Sequence, residues 1–251
     1  MKLIYAKDYQ RMSAAAARLL AAQILEKPNA VLGLATGGTP VGTYQELVCL
    51  CGEGLVSFRG VHTVNLDEYC GLSGEHPQSF RYFMNENLFS KVDVLPENAN
   101  VPDGMAKDGA AECRRYEELI SRLGPVELQV PGIGNNGHIG FNGPDQVFSK
   151  GVVYTSLTDD TVRANARFFD RVEDVPTSAY TIGIDVIMRA RRLLLLANGQ
   201  GKAEIMYKAL YEPITPAVPA SALQLHRDLT VIVDEAAGEG LKSHGCEGEV
   251  L

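Results

Sequence analysis

The sequence predicts an α/β protein with a doubly wound, mostly parallel sheet and helices on both faces. Two observations support this class: short β-rich runs alternate with longer helical patterns, and several of the runs are apolar on both faces. Strands covered on both sides have this character, and parallel neighbours need a crossover that is usually a helix. Ligands bind such sheets beyond the carboxyl ends of the strands, so the residues that follow each strand are the first candidates for a site.

The apolar runs and the helical patterns place the elements in order. Strands are expected at residues 2–5, 30–35, 61–66, 126–130, 152–157, 179–184, 192–197 and 229–233. Helices are expected at residues 9–26, 40–51, 79–89, 108–122 and 202–210, and after Asp234, each with apolar residues at three-to-four spacing. We expect one domain over residues 1–251, with a loosely held tail from about residue 242, where periodicity is lost.

Composition excludes several classes of function. The chain has 251 residues, 45% apolar content and a net charge of −8, which argues against a nucleic acid or an anionic membrane as partner. Neither a signal peptide nor a membrane span is visible, so we expect a cytoplasmic protein. The five cysteines lack CxxC spacing, which favours reduced thiols over disulfides or a zinc site.

Two of the strand ends carry residues suited to binding or to proton transfer. Residues 36–40 (TGGTP) follow the second strand, and their glycines can expose backbone donors to a phosphate at a helix N-terminus; a tight structural turn is the alternative. Asp67 and Glu68 follow the third strand. One of them can face the cleft as a general base, whereas a helix cap or a solvated pair is the more ordinary outcome.

A third strand end holds five glycines around one histidine. Residues 132–144 (GIGNNGHIGFNGP) follow the apolar run 126–130. Glycine lets the backbone approach a ligand, and His138 can change its charge near neutral pH. His138 is therefore a candidate proton carrier, with a hydrogen-bonded histidine in a turn as the competing interpretation. Cations for an anionic substrate could come from Arg163 and Arg167, or from Lys202, unless these simply face water.

Six segments together resemble the glucosamine-6-phosphate deaminase family, in order and over nearly the whole chain. They are residues 32–40, 65–69, 76–80, 132–142, 165–169 and 223–226. The related 6-phosphogluconolactonases share the Gly-His loop but continue it differently. The resemblance implies a Rossmann-like fold and, without metal or organic cofactor, conversion of glucosamine 6-phosphate and water to fructose 6-phosphate and ammonia. This reaction belongs to amino-sugar catabolism and to the use of N-acetylglucosamine.

The resemblance also implies roles for single residues. Asp67 looks like the base that moves a proton from C2 to C1, and His138 looks like the group that transfers the ring-opening proton. Asn136 stands where the family has the residue that orients this histidine. The phosphate-binding residues of the family are matched by Thr36, Gly37, Gly38 and Thr39 together with Arg167 and Lys202, which therefore look like the phosphate-binding group of this chain.

One departure from the family lies beside the histidine. Gly143 stands where the family has a glutamate that assists ring opening, so the imidazolium should be less stabilised. Two alternatives therefore stay open: a paralogue for another phosphorylated amino sugar, such as galactosamine 6-phosphate, and a catalytically weakened sugar-phosphate-binding protein. The sequence is compatible with a homo-oligomer.

Overall fold

A parallel sheet of eight strands forms the centre of the protein. The structure is a computed structural model that describes residues 1–157, 162, 163, 166, 169 and 171–251. These residues form strands β1 (Lys2–Ala6), β2 (Val31–Leu34), β3 (His62–Asn65), β4 (Asp67–Tyr69), β5 (Ala99–Asn100), β6 (Leu128–Gln129), β7 (Val152–Ser156), β8 (Ser178–Ile182), β9 (Arg192–Ala197), β10 (Leu229–Asp234) and β11 (Glu249–Val250). The order in the large sheet is β11-β1-β10-β9-β6-β2-β3-β5, and each neighbouring pair is parallel.

Helices cover both faces of this sheet. In the described part of the chain they are α1 (Tyr9–Glu26), α2 (Val41–Gly52), α3 (Phe80–Asn87), α4 (Gly109–Leu123), α5 (Ile184–Met188), α6 (Ala203–Tyr211) and α7 (Glu235–Ser243). Four of them begin at a side chain that accepts the backbone N–H three residues further on, namely Asp8, Ser79, Asp108 and Asp234. Such caps satisfy N–H groups that the helix itself leaves unpaired. The predicted fold class is confirmed.

The core lies in two layers, one on each face of the sheet. Leu193 and Leu195 of β9 belong to the layer that contains α6 and α7, whereas Leu194 and Leu196 belong to the layer with α1 and α2. All four are buried, as expected for successive residues of a strand enclosed on both sides. Burial of each leucine contributes about 2 kcal/mol to the stability of the fold. The central strands are therefore a firm support for the residues that follow their carboxyl ends.

A second, smaller sheet was not predicted. The sequence does not separate residues 152–157 and 179–184 from the parallel sheet, but the structure places β7 and β8 in an antiparallel sheet of order β4-β8-β7. The reason is their partner: β4 has three residues, two of them acidic, and no apolar pattern marks it. Its first residue, Asp67, pairs with Thr181.

The remaining unpredicted elements are short. They are β5, α5 and β11, each of two to five residues, and short 3-10 helices, of which Pro219–Leu225 has seven residues. At the chain end, where the sequence predicts a loose tail, Glu249 and Val250 lie beside β1 with exposed side chains. Within the described residues, no helix combines the length and the apolar character that crossing a membrane requires.

Candidate active site

The candidate site lies where four adjacent strands of the large sheet end. In the order β9-β6-β2-β3, these strands are followed by residues 198–202, 131–144, 35–40 and 66–67. Because the strands are parallel, their carboxyl ends meet at one edge. The chain positions that carry the predicted site residues are therefore neighbours in the fold although they are spread over more than half of the sequence.

The glycine turn after β2 presents free backbone donors. Gly37 adopts a left-handed φ of +93°, and a Cβ atom at Gly37 or Gly38 would meet no atom within 4 Å. Among the described residues, the N–H groups of Gly37, Gly38 and Thr39 have no protein acceptor. The Thr39 hydroxyl donates to Asn198 Oδ1 at 2.7 Å, which ties this turn to the loop after β9. Exposed N–H groups just before a helix suit an anion such as phosphate.

Lys202 supplies a cation at the same edge. It ends the short turn Gln200–Lys202 before α6, and its Nζ donates to the carbonyl oxygen of Ile133 at 2.6 Å. Burial lowers the pKa of this lysine. The contact joins the loop after β9 to the loop that carries His138, so the lysine lies between the two. Arg167, the other predicted phosphate cation, lies outside the described residues.

Glycine and asparagine fix the ring of His138. Asn136 Oδ1 lies 2.6 Å from His138 Nδ1 and also accepts the backbone N–H of His138 at 3.2 Å. An amide oxygen only accepts, so Nδ1 carries the proton and Nε2 is the basic nitrogen. A Cβ atom at Gly134 would lie 2.0 to 2.4 Å from three ring atoms of the histidine. Only glycine at position 134 leaves room for the ring in this position.

The imidazole of His138 is neutral at physiological pH. Its pKa is lowered to about 4, first by burial and second by the positive charge of Lys202. Both causes disfavour the imidazolium, and within the described part of the chain no carboxylate contributes to the shift. The ring is therefore present as a free base over the whole neutral range.

A buried amide anchors the far half of this loop. The Asn142 side-chain NH₂ donates to the carbonyl oxygens of Ile139 and Ile182 at 2.8 and 2.9 Å, and the Ser149 hydroxyl donates to its Oδ1. Ile139 and Asn142 also pair as an antiparallel bridge. Extending this register places Gly143 opposite His138. A Cβ atom at Gly143 would meet nothing within 4 Å, so this position is open.

Asp67 lies against the same loop. It is 7% exposed, and its pKa is raised to about 8 by burial and by the neighbouring charge of Glu68. A Cβ atom at Gly140 would lie 3.2 Å from Asp67 Oδ2, so the backbone two residues beyond His138 touches the carboxylate. The structure thus brings Asp67 and the histidine loop together at one edge, with the glycine turn and Lys202 beside them.

Three contributors to this geometry were not predicted from the sequence. Asn198 accepts from Thr39 of the glycine turn, the carbonyl oxygen of Ile133 accepts from Lys202, and Thr181 lies beside Asp67. The position of Asn198, directly after a buried strand, was a signal that could have marked it. A main-chain carbonyl and a threonine within a strand carry no such signal.

The fold and this edge describe an α/β protein whose candidate site combines free backbone N–H donors, a lysine, a histidine and a buried carboxylate. A family model described as glucosamine-6-phosphate isomerases/6-phosphogluconolactonase matches residues 7–232. The chain belongs to this family.

Similar proteins with assigned names include glucosamine-6-phosphate deaminases. The chain is 53% identical over 232 residues to the glucosamine-6-phosphate deaminase of Lachnoclostridium phytofermentans, covering 92% of this chain and 98% of the relative. The corresponding protein of Clostridium perfringens (strain 13 / Type A) is 48% identical over 242 residues, which cover 96% and 100%.

Solved structures agree in fold. A monomeric glucosamine-6-phosphate deaminase superposes with a TM-score of 0.92 at 46% identity, covering 96% of this chain and 100% of the other. The 6-phosphogluconolactonase of Thermotoga maritima superposes with a TM-score of 0.75 at 20% identity, covering 94% and 100%. The second similarity concerns the fold alone.

Proposed function

We propose that this protein converts glucosamine 6-phosphate and water to fructose 6-phosphate and ammonia, as an enzyme of amino-sugar catabolism. The observation that carries the proposal is the contact of the His138 loop with Asp67, beside free backbone donors and a lysine. A proton carrier for oxygen, a carboxylate for carbon and an anion-binding turn are the groups that this reaction needs. The deaminases that resemble the chain over nearly their whole length support the same activity.

Binding begins with the phosphate in this proposal. The phosphate dianion is bound by the backbone N–H groups of Gly37, Gly38 and Thr39, by Thr36 before them, and by the positive charges of Lys202 and Arg167. The phosphate is remote from the reacting carbons, so its binding energy can position the sugar for reaction.

Ring opening is assigned to His138. The free Nε2 takes the proton of the O1 hydroxyl and returns it to O5 as the C1–O5 bond breaks, which yields the open aminoaldehyde. Asn136 keeps Nδ1 protonated and the ring oriented. An imidazole with a pKa of about 4 is a weaker base than an ordinary histidine, which sets a modest rate for this step.

Isomerisation is assigned to Asp67. Its carboxylate removes the proton from C2 and delivers it to C1, while the C1 carbonyl oxygen gains a proton and the C2 amine loses one. C1 thereby becomes a hydroxymethyl group and C2 an imine; water then adds at C2 and ammonia leaves. The base form is required, and the pKa of about 8 in the free protein means that kcat/KM rises as the pH increases through 8. The ammonium of a bound substrate favours the ionised carboxylate, so the rise of kcat lies at lower pH.

The decisive test is product formation. The purified chain is incubated with glucosamine 6-phosphate, and ammonia and fructose 6-phosphate are measured. We expect both in equal amounts, and a loss of about a thousandfold or more in Asp67→Asn. Asp228→Asn, an exposed aspartate before β10 at the opposite edge of the sheet, is the matched control and keeps wild-type activity.

The same assay separates the alternatives. Galactosamine 6-phosphate is run in parallel, and faster turnover of that sugar would assign the protein to it instead. Calorimetric binding of glucosamine 6-phosphate without release of ammonia would make the protein a sugar-phosphate binder and would end the catalytic proposal.

We further propose a cytoplasmic location, which is supported by the five unpaired cysteines. Homo-oligomer formation is tested by sedimentation, since a similar protein is monomeric.

A further inference from the structure

A buried carboxylate with no assigned role stands next to the proposed base. Glu68 is 1% exposed and accepts three backbone N–H groups, those of Tyr69 and Phe80 at Oε1 and that of Arg81 at Oε2, each at 2.8 Å. Two of these donors belong to the first turn of α3. Since successive residues of a strand point to opposite sides, Glu68 faces the helix while Asp67 faces the cleft.

The bonds of Glu68 hold more than the start of a helix. Tyr69 and Phe80, whose N–H groups it accepts, pack their rings at 4.9 Å between centroids. Both rings also pack on Phe141 of the histidine loop, at 5.3 and 5.8 Å. The carboxylate of Glu68 therefore holds the backbone of Tyr69 and Phe80, two members of an aromatic cluster. The cluster also contains Phe141, three residues from His138, and Phe169, whose ring centroid lies 6.2 Å from that of Tyr69.

The charge of Glu68 acts on Asp67 directly. Burial raises the pKa of the Asp67 carboxyl, and among the described residues the negative charge of Glu68 raises it further. The other titratable groups that interact with Asp67 are Tyr69 and, from α4, Tyr116. Glu68 itself interacts with the Arg81 guanidinium of α3 and with the thiol of Cys70. Burial raises the pKa of Glu68 to about 7, although the three N–H donors and the charge of Arg81 act in the opposite direction. Glu68 is therefore ionised in the pH range near 8 in which Asp67 titrates.

We propose that Glu68 is a positioning residue of the candidate site, which fixes α3 and the aromatic cluster against β4 and whose negative charge makes Asp67 a stronger base. The inference rests on the proposed function, because it gives Asp67 the role of base. Asp67 is thus the base, and the adjacent Glu68 positions and activates it.

The test uses two variants, one of which removes the charge of Glu68 while the other shortens its side chain. Glu68→Gln keeps the shape and loses the charge, so we expect the acid limb of kcat/KM to move to lower pH by roughly 0.5 to 1 unit, with kcat lower by about threefold. Glu68→Asp keeps the charge but is one methylene short of the helix, so we expect the acid limb to stay and kcat to fall by about tenfold.

Controls and a second readout keep the two proposals distinguishable. Glu112→Gln removes another buried carboxylate that accepts a backbone N–H, that of Asp103 at 2.7 Å, and it should leave the pH profile unchanged. The titration of the Asp67 carboxyl is followed by ¹³C NMR in each protein, with folding checked by urea unfolding. A wild-type protein that releases no ammonia would overturn the proposed function, whereas an Asp67 titration unchanged in Glu68→Gln would overturn this inference.

Discussion

Restoring a carboxylate at position 143 should raise the pKa of His138. His138 and Gly143 flank the isolated bridge between Ile139 and Asn142, and an antiparallel register continued from that bridge would set their Cα atoms about 4.5 to 5.5 Å apart. Gly143 is exposed, its φ is not in the left-handed region and a Cβ there meets nothing within 4 Å. The substitution Gly143→Glu is therefore accommodated without displacing the loop.

The size of the effect follows from the present surroundings of the imidazole. Burial and Lys202 lower its pKa to about 4, and a carboxylate within about 4 to 6 Å typically shifts a partner by about 1 to 2 pH units in a half-exposed setting. The sign is upward, because the new negative charge favours the imidazolium. A more basic imidazole accepts the ring-opening proton more readily, so ammonia release should rise by up to about tenfold if ring opening limits the rate.

Two measurements on three proteins decide the matter. The imidazole is titrated by NMR, and ammonia release is measured at saturating glucosamine 6-phosphate, in wild type, Gly143→Glu and the neutral, similarly sized Gly143→Gln. We expect the pKa to rise only in the glutamate variant. If the glutamate and glutamine variants titrate alike, the register argument that places position 143 opposite the ring is refuted. A raised pKa with an unchanged rate would show that another step limits turnover.

The other predictions concern the supports of the site. Gly134→Ala should lower kcat about a hundredfold with little loss of stability, because the new methyl group occupies the place of the histidine ring. The control Gly132→Ala, whose Cβ has nothing within 4 Å, should match wild type in the same assay. Lys202→Met should raise KM for glucosamine 6-phosphate about tenfold or more, while Lys208→Met, which removes an exposed lysine paired with a carboxylate on α6, should not; equal KM values would remove the lysine from the phosphate site. Asn142→Ala should lower the free energy of unfolding by about 2 kcal/mol in urea titrations, since it leaves buried carbonyl oxygens without donors, and a loss below about 0.5 kcal/mol would contradict that anchoring role.

The sequence predicts the parallel sheet and its binding edge because these depend on local pattern. Apolar runs such as 192–197 mark buried strands by themselves, and the rule that ligands lie beyond strand ends points to residues 36–40 and to His138 without knowledge of the strand order. The family, the deaminase relatives and the fold are all confirmed by the comparisons. The roles of the single site residues stay predictions.

What the sequence does not show depends on contacts between distant positions. The hydrogen bond from Thr39 to Asn198 joins residues 159 positions apart, and no local pattern announces it. Glu68 is an ordinary acid beside another acid until α3 is seen to begin at its carboxylate. The small antiparallel sheet escapes for the same reason, since β4 is defined by its pairing with β8 rather than by apolar residues.

The pairing of β4 with β8 gives the two proposed proton carriers supports of different stiffness. Asp67 is part of a hydrogen-bonded ladder, opposite Thr181, so its backbone can move only if the ladder opens. His138 stands on a loop and is steered by a neighbouring side chain. Removal of the proton from carbon C2 tolerates little error in the position of the base, and it is assigned to the rigidly held Asp67. The protons on oxygen are transferred between two positions, O1 and O5, and this transfer is assigned to His138, which has the more mobile support. In amide hydrogen exchange, such a division would appear as strong protection in β4 beside fast exchange at Asn135 and Asn136, whose N–H groups have no acceptor among the described residues.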